Sequence, residues 1–331
     1  MTSALPSCDP DLLAVIDRYR TCEFATLSKS GVPIAWPTVP LRRPDGTLLI
    51  TTSIALPQKA YNIRRDGRVA LLFSEPTASG LTGAPELLLQ GTATCPDEVV
   101  TDIRAHADYW QRLHERQPAN AMYSSNPLSR RLFDWYYMRL LITVTPSSWS
   151  ARPPLPPGPA TGTDAAPGGT AGEALGRLAT FPSAVLGTRD PDGAPRLRRI
   201  RVTGPAGGAL ALSVREDDDD LVPGPASLLA HSHDDRLWSQ RSAVVLGALA
   251  RTGAGWTFQP ERIIGGLGDG GPLALVRMIR ELRRTAQGYL ERRSLPRPQI
   301  PWADLKEVKA GLRGAGTERR QEPAGSPPSS P

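Results

Sequence analysis

Phe24-Ala25-Thr26-Leu27-Ser28-Lys29-Ser30-Gly31-Val32-Pro33-Ile34-Ala35-Trp36 reads as a strand, a tight turn and a second strand. Apolar and β-branched residues flank a polar corner that ends in glycine, which is the pattern of an antiparallel hairpin. The second extended run covers Val32–Leu41. It turns at Arg43-Pro44-Asp45-Gly46 into a third, Leu48-Leu49-Ile50-Thr51-Thr52. Short strands joined by turns predict an antiparallel barrel or meander.

Outward from this stretch the same reading continues. Residues 10–20 have the spacing of a short amphipathic helix, and residues 57–66 that of a helix opening at Pro57. Val69–Phe73 and Glu86–Thr94 read as strands, Asp97 to about Glu115 and residues 127–138 as helices, and Leu140–Thr145 as a last strand ending at Pro146. Residues 151–172, almost entirely Pro, Gly, Ala and Thr, cannot build a core and read as a linker. The expected organisation is a first unit over 1–150, the linker, a second unit over 173–265, a helical segment over 266–313 and a disordered tail over 314–331.

The second unit repeats the first. Gly31 and Gly193, Pro33 and Pro195, and Leu48 and Leu210 are separated by the same offset, 162. One offset across two strands and their turns points to an internal duplication. Beyond it the copies are expected to diverge. The second would have a helix over Ala226–Trp238, no counterpart of Val69–Phe73, a strand at Ala243–Ala250 and a last strand near Trp256–Phe258 that ends at Pro260.

Composition narrows the function. The chain of 331 residues has 39 basic and 33 acidic side chains, a net charge of +6. Only four of the basic residues are lysines (Lys29, Lys59, Lys306 and Lys309), so arginine is the default cation and the basic balance is a weak argument for nucleic acid. No apolar run approaches the roughly 20 residues of a membrane span, and no basic stretch followed by an apolar one opens the chain. Three scattered cysteines make neither a disulfide framework nor a zinc site. The expectation is a cytoplasmic protein acting on a small molecule, with no membrane, metal or nucleic-acid partner.

Several motifs carry little. Gly266-Leu267-Gly268-Asp269-Gly270-Gly271 has dinucleotide-loop spacing without the βαβ context that loop requires. Asp217–Asp220 reads as a solvated loop. His231 and His233, placed on the expected helix, read as surface residues, with haem ligation the alternative. The Arg-rich helix from about Pro272 to Arg293 has apolar residues at helical spacing and reads as docked on a barrel.

The run Ala25-Thr26-Leu27, Gly31-Val32-Pro33, Leu48-Leu49-Ile50-Thr51-Thr52, Lys59-Ala60-Tyr61-Asn62-Ile63-Arg64-Arg65-Asp66, Val69-Ala70-Leu71-Leu72-Phe73 and Gln90-Gly91-Thr92-Ala93 resembles the pyridoxamine 5′-phosphate oxidase-like, FMN-binding split-barrel family. The resemblance implies a mainly β fold with helices: two tandem antiparallel split barrels, the second degenerate, plus a C-terminal helix. It implies FMN held between paired barrels, within the chain as a pseudo-dimer or in a homodimer, and a flavin-dependent oxidoreductase. An 8-hydroxy-5-deazaflavin cofactor is the rival. A non-enzymatic flavin- or haem-binding protein is the reading from another class. The cofactor phosphate is expected at Thr51, Thr52 and Ser53 and at Lys59 with Asn62, where hydroxyls, a helix N-terminus and a cation converge. The ring is expected against Trp36, with backbone contacts at Thr38 and Val39, and Gln90 is expected to reach it across the barrel contact. No catalytic residue is assigned. Pro57-Gln58 stands where the oxidases carry Ser-Arg, which removes one phosphate ligand and argues against pyridoxamine phosphate as substrate.

Overall fold

The computed structural model describes residues 10–159, 161–163, 168–215, 218, 220–237, 239–253, 255–264 and 272–318. The Gly266–Gly271 motif, Asp217 and Asp219, and the tail beyond Glu318 lie outside these residues.

The first half opens with helix α1 (Pro10–Arg18) and strands β1 (Cys22–Leu27), β2 (Pro33–Thr38), the two-residue β3 (Leu41–Arg42) and β4 (Leu48–Ser53). Helix α2 (Gln58–Arg65) follows, then β5 (Arg68–Phe73), β6 (Glu86–Thr94), helices α3 (Ala107–Arg116) and α4 (Pro127–Tyr137), and β7 (Arg139–Arg152). The strands form one antiparallel sheet in the order β2-β1-β5-β6-β7-β4-β3. After helix α5 (Gly169–Leu178) come β8 (Ala184–Arg189), β9 (Pro195–Ala206), β10 (Ala209–Ser213), β11 (Gly224–Ser232), β12 (Arg241–Thr252) and β13 (Gly255–Ile264). These close into a barrel in the order β10-β13-β12-β11-β8-β9. Helices α6 (Pro272–Glu291) and α7 (Trp302–Glu318) end the described chain.

Leaving β3 aside, the two strand orders are the same. The hairpins β1–β2 and β8–β9 also match at the offset of 162. Leu27 faces Pro33 as Arg189 faces Pro195, and the turn glycines Gly31 and Gly193 both take positive φ, 76° and 78°. Only glycine enters that region without steric cost. One barrel closes and the other does not because of prolines. In the first half Pro40 interrupts the chain after β2. Its counterpart Val202 stays in β9 and pairs with Leu212 of β10. Proline has no N–H for a ladder, so it leaves an edge.

Several expectations need correction. The helix expected from Asp97 starts ten residues later, at Ala107. Residues 226–232 of the expected helix are instead in strand β11, buried along most of its length, which pairs with β8 and β12 as β5 pairs with β1 and β6. It is therefore the counterpart of Val69–Phe73, and Asp218 and Asp220 lie between β10 and β11 where the first half has α2 between β4 and β5. An all-buried strand lacks period-two alternation, which is why its apolar run resembled a helix. The strands β7 and β13 run through Pro146 and Pro260 because each proline sits at a register shift opposite a glycine, Gly91 and Gly247. The linker is shorter than 151–172, since β7 reaches Arg152 and α5 starts at Gly169. His231, read as surface, is buried. The tail beginning at 314 is helical through Glu318, as part of α7.

Three apolar clusters hold the molecule. One fills the first half and takes in α6 and α7 through Ala286, Tyr289, Leu290, Leu305 and Val308. A second fills the closed barrel around Phe258 and Leu228. The third lies between the halves, where Ala25, Ala35, Ala70 and Leu72 meet Val185, Leu197, Leu229 and Val244. Strand β1 explains the seam. All six of its residues are buried, Cys22 and Phe24 toward the first core and Ala25 toward the second half.

Candidate functional site

Helix α2 starts just beyond β4, so the end of that strand, the first turn of the helix and β2 converge. Lys59 lies half-buried in this turn, with Nζ 5.2 Å from the centre of the Trp36 ring. Burial, and then the charge of Arg139, push its pKa down to about 8. Arg139, the first residue of β7, is 7% exposed and lies over the rings of Tyr136 (4.0 Å) and Trp110 (5.3 Å). Its Nε has no hydrogen-bond partner. Among the described residues neither cation meets a carboxylate. His114 of α3 lies edge-on to Trp110, with both ring nitrogens buried and unpartnered. Burial and the charges of Lys309 and Arg139 push its pKa down to about 3, so it is neutral.

The side chains of the other expected ligands are hydrogen-bonded within the protein or packed in its core. Thr51 Oγ1 donates to the Tyr109 hydroxyl (2.9 Å), Thr52 Oγ1 to the Leu56 carbonyl (2.8 Å) and Ser53 Oγ to the Trp135 carbonyl (2.6 Å). Their protons are thus committed to the protein, since a hydroxyl has one to give. Asn62 is buried. Its Nδ2 donates to Thr26 Oγ1 (2.9 Å), and its Oδ1 accepts from Gln58 and Arg65. Val39 belongs to the core of the first half, and Thr38 donates to the Trp36 carbonyl. Gln90 does cross to the second half, where its Nε2 donates to Asp190 Oδ2 (2.9 Å) and the Pro195 carbonyl (3.0 Å). The structure therefore brings together Lys59 and Trp36 and adds Arg139, Tyr109, Trp110 and His114. No spacing in the sequence marks these four. Arg139 is one arginine among 35, and α3 is separated from α2 by more than forty residues.

At the corresponding place in the second half the cations are neutralised. Arg198 stands where Trp36 stands in the first half, and the loop that replaces α2 supplies Asp218 and Asp220. Asp218 Oδ1 lies 3.0 Å from Arg198 Nε and 2.8 Å from Arg152 Nη1, and Asp220 Oδ2 lies 2.8 Å from Arg196 Nη2.

His231 and Glu23 form a separate buried cluster. Glu23 Oε1 lies 2.7 Å from His231 Nε2 and 2.7 Å from Arg199 Nη2, and both carboxylate oxygens accept from Ser74. With Nε2 held by a carboxylate, His231 is a seam residue. Among the described residues no group of three or more His, Cys, Asp and Glu side chains is placed to hold a metal ion, and no helix is long and apolar enough to cross a membrane.

No family model and no curated protein sequence matches the chain. Solved structures resemble parts of it. A conserved hypothetical protein of Mycobacterium tuberculosis is 20% identical, covering 46% of this chain and 88% of its own, with a TM-score of 0.33. A pyridoxamine 5′-phosphate oxidase candidate from Listeria innocua is 17% identical, covering 43% and 94%, with a TM-score of 0.29. The haem storage protein HutZ from Vibrio cholerae is 14% identical, covering 43% and 92%, with a TM-score of 0.30. Each of these chains corresponds to less than half of this one.

Proposed function

We propose that the protein is a flavin-dependent oxidoreductase that holds one phosphate-bearing ring cofactor, FMN or its deazaflavin analogue, in its first half. The observation that carries this reading is the contrast between the halves. Lys59 and Arg139 have no counter-anion among the described residues, whereas the arginines at the corresponding place in the second half are paired with Asp218 and Asp220. Uncompensated cations withdrawn from water are costly, and a phosphate would compensate half-buried Lys59 and buried Arg139. The residues present fit the anionic end of the cofactor through Lys59 and Arg139, and Trp36 supplies an aromatic wall. The hydroxyls of Thr51, Thr52 and Ser53 do not fit, because their protons are used internally. When bound, such a ring supplies hydride or electron transfer. The matching strand orders support a tandem duplication in which the second half serves as the partner barrel without a cofactor of its own.

The test is the absorption spectrum of the purified protein, followed by titration with FMN. A flavin spectrum and one FMN per chain are expected. Lys59→Ala should weaken FMN binding by about 1.5–3 kcal/mol, on the order of 10- to 100-fold. A Soret band in place of flavin bands, or FMN affinity unchanged in both Lys59→Ala and Arg139→Gln, would overturn the reading.

A further inference from the structure

The first half carries an open groove of about 500 Å3 where α4 meets the segment between α6 and α7. Ligand clefts run from about 300 to 1,000 Å3, so the groove has room for a small organic molecule. Pro127, Pro298, Ile300 and Trp302 form an apolar wall, and Arg130, Arg131 and Asp134 are the charged residues that line it.

Helix α4 sets the positions of these three. It breaks at Phe133 (φ −118°, ψ 16°), and the carbonyls of Arg131 and Leu132 accept from Arg283 of α6. Asp134 is committed to Arg297, whose Nε and Nη2 each lie 2.7 Å from one of its oxygens. Arg283 and Arg297 are thereby accounted for, and Arg130 and Arg131 are not. Half-buried Arg130 is held in place. Its Nε donates to the Ser124 carbonyl (3.2 Å), and its guanidinium lies 5.4 Å from the centre of the Trp302 ring. Among the described residues its two Nη groups make no hydrogen bond, and the guanidinium of exposed Arg131 has neither a carboxylate nor a hydrogen-bond partner.

Their placement also opposes the helix. The first turn of α4 has no acidic residue, and Arg130 and Arg131 are its fourth and fifth residues. Cations near the positive end of a helix dipole are disfavoured. Two adjacent cations there, beside a carboxylate already taken, are stabilised by an anion. Guanidinium forks match the oxygen pairs of a carboxylate or a phosphate. An inorganic ion would leave the apolar wall unused, and a neutral molecule would leave the guanidinium groups unused.

We propose that this groove binds a small organic oxyanion, a carboxylate or phosphate head on an apolar or aromatic body. The head accepts from the Nη groups of Arg130 and from Arg131, and the body lies on Ile300 and the two prolines. The groove shares no side chain with the Lys59 site, and the proposal does not depend on the cofactor reading.

Calorimetric titration of the full chain with phenylacetate and phenyl phosphate tests it. The controls are phenylacetamide, which lacks the charge, and inorganic phosphate, which lacks the body. Saturable binding of one or both organic anions is expected, with each control roughly tenfold weaker or more. The ratio of the two affinities identifies the head group. Arg131→Gln, at an exposed side chain, should weaken binding roughly tenfold, as loss of one charge-assisted contact does, and Arg130→Gln should act in the same direction. Binding of neither organic anion would overturn the proposal. So would a control that binds as tightly as the organic anions, or an affinity unchanged in both arginine variants. Binding of poly-L-glutamate or a DNA oligonucleotide with neither small anion would overturn it as well, and would mark a macromolecular face instead.

Discussion

Half-buried Lys59 and fully buried Glu23 titrate in opposite senses. The pKa of Lys59 is lowered to about 8 by burial and by Arg139, against about 10.4 in an unfolded chain. Between those values the unfolded state binds more protons, so stability should rise with pH from about 8 to about 10. Urea denaturation of the FMN-free protein across that range should show the slope, and Lys59→Met should flatten it. For Glu23, burial alone would raise the pKa, but the hydrogen bond from His231 and the charge of Arg199 outweigh it and the net direction is down. Its contribution is therefore fully present above an unfolded carboxyl pKa of about 4.3 and is lost as the pH falls through the lower folded value. Glu23→Ala leaves His231 without its carboxylate and Arg199 with only Glu75 at 3.8 Å, and should cost about 3–5 kcal/mol at neutral pH, measured by denaturant midpoint. It should also remove much of the acid sensitivity.

At the level of elements, the paired proline and glycine positions are what let two long strands pass a residue that cannot donate. Gly91 faces Pro146 and Gly247 faces Pro260 at the register shifts. A Cβ would sit 2.2 Å from the Thr145 carbonyl oxygen at Gly91, and 2.0 Å from the Gln259 carbonyl oxygen at Gly247. Both oxygens belong to backbone, which cannot step aside. Alanine at either position should therefore cost about 1–3 kcal/mol, and calorimetry should show both variants melting lower. Helix α7 is an element of the first half. Leu305 is 2% exposed, and Trp302 packs edge-on to Tyr137 at 5.1 Å. Leu305→Ala should destabilise the protein by about 2–5 kcal/mol. A midpoint unchanged by that substitution would show that α7 is not part of this core.

Across the whole molecule, the apolar cluster between the halves and the Glu23–Arg199–His231 contacts join segments up to 208 residues apart. Proteolytic cutting in the Pro-rich segment 153–159 should therefore leave two fragments that co-elute on gel filtration and melt in one transition, and separation of the fragments would contradict this. The same seam explains why Glu23 was not identified from the sequence. A polar residue on alternate positions of a strand signals a solvent face, and only the approach of the second half turns that face inward. The reading of His231 failed for the related reason that a fully buried strand and a helix share an unbroken apolar run.

Local order was legible in the sequence by itself. Turn glycines, prolines and the common offset of 162 placed the strands of the first half and the matching hairpin of the second, since hairpin geometry is decided by neighbouring residues, but not β11. They also placed Lys59 in the first turn of α2, while its contact with Trp36 came from the structure. Tertiary structure alone decided which cations lack a partner. Arg139 meets the Lys59 region through sheet pairing and the roof of α3, and Asp218 reaches Arg152 across the seam between halves. A charge is paired or free according to what the fold brings within a few ångströms, and that distance has no counterpart in sequence separation.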